Sequence, residues 1–284
     1  MITIIHYYHP IKKTNITLSI DNIVLDASVS GPNKAEMLMN SVNKLHLASE
    51  SVDVVHWNGT KPGTFREQFS IRMNNDTSFW LGVGLNGKAA QGNRCRMEFN
   101  PNKVAGSSIF WTALDLFREN TRDVLRRVNR FDLAIDLPVD RQRCFLVKDA
   151  RMYIERRHGR EFTQYLGAKS SCVGRVKLYN KQLEAGLDYP LTRLELTLNP
   201  HEPYEDVRFP TVYTINTTEI GDVMKITDTE RFILGALLQG YGSLNDLGRK
   251  TRTKMQKLMA DYVEPVEIAA EDYEAIRDQL AIYL

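Results

Sequence analysis

The chain has 284 residues, with 37 Lys and Arg against 35 Asp and Glu and a formal net charge of +2. That length accommodates one large domain or two modest ones, and a 43% hydrophobic share is ample for a core. No apolar run approaches the roughly 18–20 residues that span a bilayer, and "MITIIHYYHPIKK" lacks a signal-peptide layout, so a cytoplasmic protein with no membrane partner is expected.

Cys95, Cys144 and Cys172 are odd in number and form no CxxC pair, which points to reduced thiols. Charge is uneven along the chain: "LGRKTRTKMQK" is basic and "EPVEIAAEDYEAIRDQL" acidic. A local basic stripe is compatible with nucleic acid without demanding it.

In chain order, strands are predicted at "NITLSIDNIVLDASV", "SVDVVHW", "FREQFSIRM", "SFWLGVGLNG" and "RCRMEFNPN", separated by Asn, Gly and Pro turn signals. A helix follows in "SSIFWTALDLFRENTRDVL", with Ile109, Ala113, Leu116, Phe117 and Leu125 as its apolar stripe. Strands return at "NRFDLAIDLPV", "ARMYIERR", "EFTQYLG", "GRVKLYNK" and "LTRLELTLN", with His158 and Gly159 in a hairpin turn.

Beyond residue 200 the pattern turns helical. "TDTERFILGALLQG" opens with a capping-box spacing from Thr227 to Glu230 and closes on Gly240. "SLNDLGRKTRTKMQKLMADY" places Leu244, Leu247, Met255, Leu258, Met259 and Tyr262 at helical spacing, with Arg249, Lys250, Arg252, Lys254 and Lys257 mostly off that stripe. A short helix in "AAEDYEAIRDQLAIYL" closes the chain. The reading is α+β: a mostly antiparallel sheet domain over 1–200 and a helical region over 201–284, whose paired helices could read DNA.

Four strands share a pattern. Arg96 and Glu98, Arg130, Asp132 and Asp136, Lys177 and Tyr179, and Arg193, Glu195 and Thr197 each lie on one face of their strand, opposite apolar residues. Half-buried antiparallel strands ordinarily alternate this way, so each alone reads as surface ion pairing. If the strands join one sheet, however, Glu98, Asp132, Glu195 and Tyr179 gather on one face. Carboxylates suit Mg²⁺ or Mn²⁺, and such an ion polarises phosphoryl oxygens. Lys177, Lys181 or a metal would favour the phenolate of Tyr179, making it a nucleophile toward phosphorus.

Other chemistries find less support. No G-x-S-x-G elbow or Cys–His partnership is evident, and "GLNG" reads as a hairpin turn, with Ala89 after Gly87 and Lys88 where a phosphate loop has Ser or Thr. His6 and His9 bracket "YY" far from the acidic strands.

The segments "RMEFNPNK", "RFDLAID", "YLGAKSS", "VKLYNK" and "RLELTL", in this order and spacing, resemble the Rep_trans family of rolling-circle replication initiators, with related phage initiators and conjugative relaxases. The likeness spans about residues 94–200 and continues more weakly through "TERFILGALL" and "LGRKTRTKMQKLM". It implies a metal-dependent enzyme that nicks one strand at a double-stranded origin, becomes linked to the new 5′ end, and later rejoins it. The family nucleophile falls on Tyr179, with Tyr165 as rival, and the family's acidic residues on Glu98, Asp132, Glu195 and Asp136. Origin contacts fall on Arg249, Lys250, Thr251 and Arg252, with Lys254, Arg175 and Lys169 as further DNA-binding candidates. Origin duplex and single-stranded DNA, a host helicase and a second copy of the chain are the implied partners. A relaxase acting at a transfer origin, or a DNA-binding protein without catalysis, would share much of this sequence.

Overall fold

The computed structural model describes residues 16–48, 51–61, 63–73, 77–86, 93–159, 161–168, 173–215 and 226–284. Lys169, Cys172, His6, His9 and Gly87 lie outside the described residues. The strands are β1 (Thr17–Ser28), β2 (Asp53–Asn58), β3 (Phe65–Met73), β4 (Thr77–Leu85), β5 (Arg94–Phe99), β6 (Arg127–Leu137), β7 (Cys144–Leu146), β8 (Tyr153–His158), β9 (Glu161–Leu166), β10 (Val176–Asn180), β11 (Thr192–Leu198), β12 (Val212–Ile215) and β13 (Val263–Pro265). The helices are α1 (Pro32–Asn43), α2 (Pro101–Val104), α3 (Ser108–Asn120), α4 (Lys181–Ala185), α5 (Asp228–Leu238), α6 (Arg249–Tyr262) and α7 (Ala270–Asp278).

Ten strands form one antiparallel sheet in the order β2-β3-β4-β5-β1-β6-β11-β10-β9-β8, and β13-β12-β7 make a second, small sheet. The fold is therefore α+β with a large antiparallel sheet and a helical C-terminal part. Alternation drives it. Phe131, Leu133, Ile135 and Leu137 of β6, Leu194, Leu196 and Leu198 of β11, and Val176 and Leu178 of β10 are all buried in the main core. Helices α1, α3 and α7 supply Leu38, Val42, Phe110, Phe117, Tyr273 and Ile276 to that same core.

Three local outcomes differ from the sequence expectation. Helix α1 was not anticipated among the strands; Pro32 starts it, and Leu38 and Val42 bury its inner face. In α3 Ala113 and Phe117 are buried as expected, but Phe110 and Leu114 complete the buried stripe where Ile109 and Leu116, only partly buried, were expected, and Leu125 lies beyond the helix and exposed. The C-terminal part does not pack as one unit. Tyr273, Ile276, Leu280 and Tyr283 return to the main core, while α5 and α6 meet around Leu234, Met255 and Leu258 in a separate small cluster.

That cluster docks on the β7 segment: a Cβ at Gly235 of α5 would come within 2.8 Å of the Phe145 ring. The expected capping box of Thr227 and Glu230 is formed. Cys95 and Cys144 are free and buried. Among the described residues no helix is long and apolar enough to cross a membrane.

A candidate active site on the polar face of the sheet

The strand register brings the singled-out residues onto one face. Lys177 lies opposite Glu195 and Tyr179 opposite Arg193. Glu195 lies opposite Ala134, Thr197 opposite Asp132, and Arg193 opposite Asp136. Asn22 faces Asp132, and Val24 faces Glu98. Asp132 and Glu195 are thus diagonal neighbours on adjacent strands, about 7–8 Å apart at the backbone. Glu98 is two strands from Asp132 and offset by two residues along them, about 12 Å away at the backbone.

Tyr179 is 5% exposed, and its Oη donates to Glu195 Oε1 at 2.6 Å, with Glu184 Oε2 at 3.2 Å. Glu184 arrives through a short local device. Asn180 ends β10 and caps α4, its side chain accepting from the Leu183 amide, and Gly186 ends the turn at φ 64°. The single turn returns Lys181 and Glu184, which pair with each other, over the tyrosine. Nothing in the strand pattern flagged Glu184; the N-cap Asn followed by Gly six residues later was the available signal.

The two lysines do not hold the phenolic oxygen, contrary to expectation. Lys177 Nζ lies 3.5 Å from the Tyr179 ring centroid, over its face, and 3.3 Å from Glu195 Oε2. Lys181 Nζ is 6.0 Å from the centroid. Burial, and then the charges of Glu195 and Glu184, push the Tyr179 pKa well above that of a free phenol. In this arrangement Tyr179 is a protonated phenol with a carboxylate already accepting its proton. Burial alone would raise Glu184, but Lys181 and Lys177 hold its carboxyl below the usual range.

Arg193, only 8% exposed, organises the other side. Its Nε and Nη2 grip both oxygens of Asp136 at 2.6 and 2.7 Å, and Nη1 reaches Asp21 at 2.9 Å. Asp21 sits where the β1–β6 register slips between Ile20 and Asn22, a bulge that re-aims it. It also accepts from Asn100 Nδ2 at 3.0 Å. Asn100 caps α2, and Asn102 donates to the Ile20 carbonyl at 2.7 Å, so "EFNPNK" works as a brace for the bulge. Asp136, engaged at both oxygens, has little left for a metal. Burial opposes the charge on Arg193, but Asp136 and Asp21 outweigh it and raise its pKa.

Asp132 is the unsatisfied member. Its Oδ1 is buried with no hydrogen-bond partner, and burial raises its pKa despite Thr197 and Arg130, with Glu195 and Asp21 adding to the rise. Glu98 accepts from Asn22 Nδ2 at 3.1 Å and lies 3.7 Å from Arg130. Among the described residues no group of three or more His, Cys, Asp or Glu side chains is arranged to hold a metal ion. The donors present are nonetheless all oxygen, and an orphaned buried carboxylate oxygen is what a hard cation would complete. Mg²⁺ in particular needs only one or two carboxylates and keeps several waters. The residues fit such an ion, with Asp132 as its anchor.

The basic candidates divide. Arg249 and Lys250 are exposed at the start of α6, and Thr251 is partly buried. Arg252 turns inward, donating to the carbonyls of Leu244, Asn245 and Leu247 at 2.9, 3.1 and 3.1 Å. Lys254 bonds Glu230 of α5. Lys254 ties the two helices together while Arg252 holds the turn that precedes α6, and the connection between α5 and α6 runs over 239–248, longer than the tight turn of a helix-turn-helix. Arg175 shares the face of Lys177 and Tyr179, its guanidinium carbon 5.2 Å from the Tyr165 ring centroid. Tyr165 faces Lys177 across the β9–β10 pair, on the same face as Tyr179.

Compared with known proteins, the chain matches no model of a protein family and no curated protein sequence.

Proposed function

We propose that this chain is a DNA nicking-closing enzyme of the rolling-circle initiator type, with Tyr179 as its nucleophile. The observation that carries the reading is the Tyr179 hydroxyl at 2.6 Å from Glu195, whose diagonal neighbour on the next strand, Asp132, has an unpartnered carboxylate oxygen. With no matching family, the resemblance of "EFNPNK" and "VKLYNK" adds to that geometry and does not replace it.

Tyr179 Oη attacks the phosphorus of a DNA phosphodiester while its proton passes to Glu195 Oε1. The bond from phosphorus to the 3′ oxygen breaks, and that oxygen leaves as a 3′-hydroxyl after taking up a proton. The product is a phosphotyrosine diester at the 5′ end. One diester replaces another, so the bond energy is kept for rejoining without ATP, and the free 3′-hydroxyl can prime synthesis. Asp132 is the residue that would anchor a Mg²⁺ or Mn²⁺ ion, which would polarise a phosphoryl oxygen, while Glu195 is engaged at both oxygens by Tyr179 and Lys177. Lys177, over the Tyr179 ring and beside Glu195, fixes the two relative to each other and limits the freedom of the nucleophile.

Arg249 and Lys250 supply phosphate contacts to origin duplex, giving salt-sensitive binding. A dimer and a host helicase follow from the resemblance alone. The test is an SDS-stable adduct between the protein and labelled single-stranded fragments of its own replicon, with Mg²⁺, Mn²⁺ or chelator. A metal-dependent adduct absent from Tyr179→Phe is expected. DNA binding with no adduct on any fragment would favour a binding protein without catalysis.

A further inference from the structure

Among the described residues every cation around the Tyr179 hydroxyl is already committed to a carboxylate: Lys177 to Glu195, Lys181 to Glu184, Arg193 to Asp136 and Asp21. A DNA strand laid across this site finds no free positive charge there for its phosphates among the described residues. One step along the same face the balance reverses. Tyr165 of β9 lies between Arg156 of β8 and Arg175, the residue just before β10, their guanidinium carbons 5.8 and 5.2 Å from its ring centroid.

The register puts all three side chains on the face of Tyr179. Ile154 pairs with Tyr165, so Arg156, two residues on, shares its side; Lys177 pairs with Tyr165, so Arg175 does too. Among the described residues neither guanidinium has a carboxylate partner, and the Nε of Arg175 is buried without any hydrogen-bond partner. Tyr165 and Tyr179 are diagonal across neighbouring strands, about 7–8 Å apart at the backbone.

We infer that Tyr165, flanked by Arg156 and Arg175, is a subsite for single-stranded DNA, the ring stacking on a nucleobase and the guanidiniums gripping the adjoining phosphates. Aromatic rings accept any base by stacking, and a planar guanidinium can grip phosphate at two points. The choice of DNA rests on the nicking reading; the composition of the subsite does not. Tyr165 thus serves to position the strand, and Tyr179 to attack it.

Fluorescence anisotropy with a labelled short oligo-dT tests this, carried out in the Tyr179→Phe protein so that no cleavage intervenes. Tyr165→Leu should weaken binding by about 5- to 150-fold, the range of one lost stacked base, while Tyr165→Trp holds it. On an oligomer of abasic residues, Tyr165→Leu and its parent should bind alike. Arg156→Gln and Arg175→Gln should each lower the salt dependence of log affinity by about 0.7. Unchanged oligo-dT binding in Tyr165→Leu, or an equal loss on the abasic oligomer, overturns the subsite. Failure of the wild type to form an adduct, with these binding effects present, removes the nicking reading and leaves the subsite standing. A normal adduct with no Tyr165 effect on binding does the reverse.

Discussion

Replacing Asp132 with Asn removes one negative charge from a buried position and changes little else in size. The folded state holds the charged form of Asp132 at a disadvantage, because burial strips its water and Oδ1 finds no partner in return. Its folded pKa is raised, so the sign runs against stability at neutral pH. Below the ordinary aspartate pKa of about 4 the group is protonated in both states and costs nothing. As pH rises through the window between that value and the raised folded pKa, the unfolded chain loses its proton first and stability falls. The amide introduced by Asp132→Asn cannot ionise and escapes this penalty.

An unsatisfied buried polar group costs about 1–3 kcal/mol, and Asn retains part of that, so a gain of about 1–2 kcal/mol is expected near neutral pH with chelator present. For a chain of this size that is a rise in Tm of about 2–8 °C. A divalent cation should invert the comparison, stabilising wild type through Asp132 and leaving Asp132→Asn unmoved. Thermal unfolding followed across acid to neutral pH, with EDTA, Mg²⁺ or Mn²⁺, measures all of this. A variant less stable than wild type in EDTA at neutral pH would refute the burial argument. Equal stabilisation of both proteins by metal would refute Asp132 as the anchor.

Glu195→Gln should leave the fold intact but lower the rate of adduct formation by about 10²–10⁴-fold, the usual worth of a positioned base, as single-turnover kinetics would report. In α6, Arg249→Ala with Lys250→Ala should reduce the salt slope of duplex binding by about 1.8 without altering Tm, since both side chains are exposed. Arg252→Ala should instead lower Tm, because its guanidinium serves three carbonyls of the preceding turn. Gly235→Val drives side-chain atoms into the Phe145 ring, already 2.8 Å from a Cβ at that position, and should cost about 1–3 kcal/mol by denaturant unfolding.

The sheet was legible because its strands carry long alternation of apolar and polar residues; β3, β6, β9 and β11 stand where "FREQFSIRM", "RFDLAIDL", "EFTQYLG" and "LTRLELTL" put them. The parity of Lys177 with Tyr179, and of Arg193 with Glu195, likewise carried directly into a shared face. Parity says which side a residue takes, but not which partner it finds there. Hence the lysines were expected at the tyrosine oxygen, whereas the carboxylate of Glu195 occupies that position and Lys177 lies over the ring. Asp21 was invisible for a different reason: a bulge breaks the alternation that would have assigned it a face.

Among the described residues the short strands β7, β12 and β13 pair only with one another, and three or four residues are too few for a period-two pattern to register. The helix pair was readable from its capping box and apolar spacing. The inward turn of Arg252 was not, since a guanidinium on a helix looks the same in sequence whether it meets water or carbonyls.

The most direct test is to identify the residue that carries DNA. After reaction with single-stranded fragments of the replicon in Mg²⁺ or Mn²⁺, nuclease and trypsin digestion would leave a nucleotide remnant on one peptide, located by mass spectrometry. The expected site is the peptide Leu178–Lys181, with the remnant on Tyr179 and its formation abolished by chelator. A remnant on the peptide spanning 161–169 would make Tyr165 the nucleophile, and the absence of any linked peptide despite DNA binding would contradict catalysis by this sheet face.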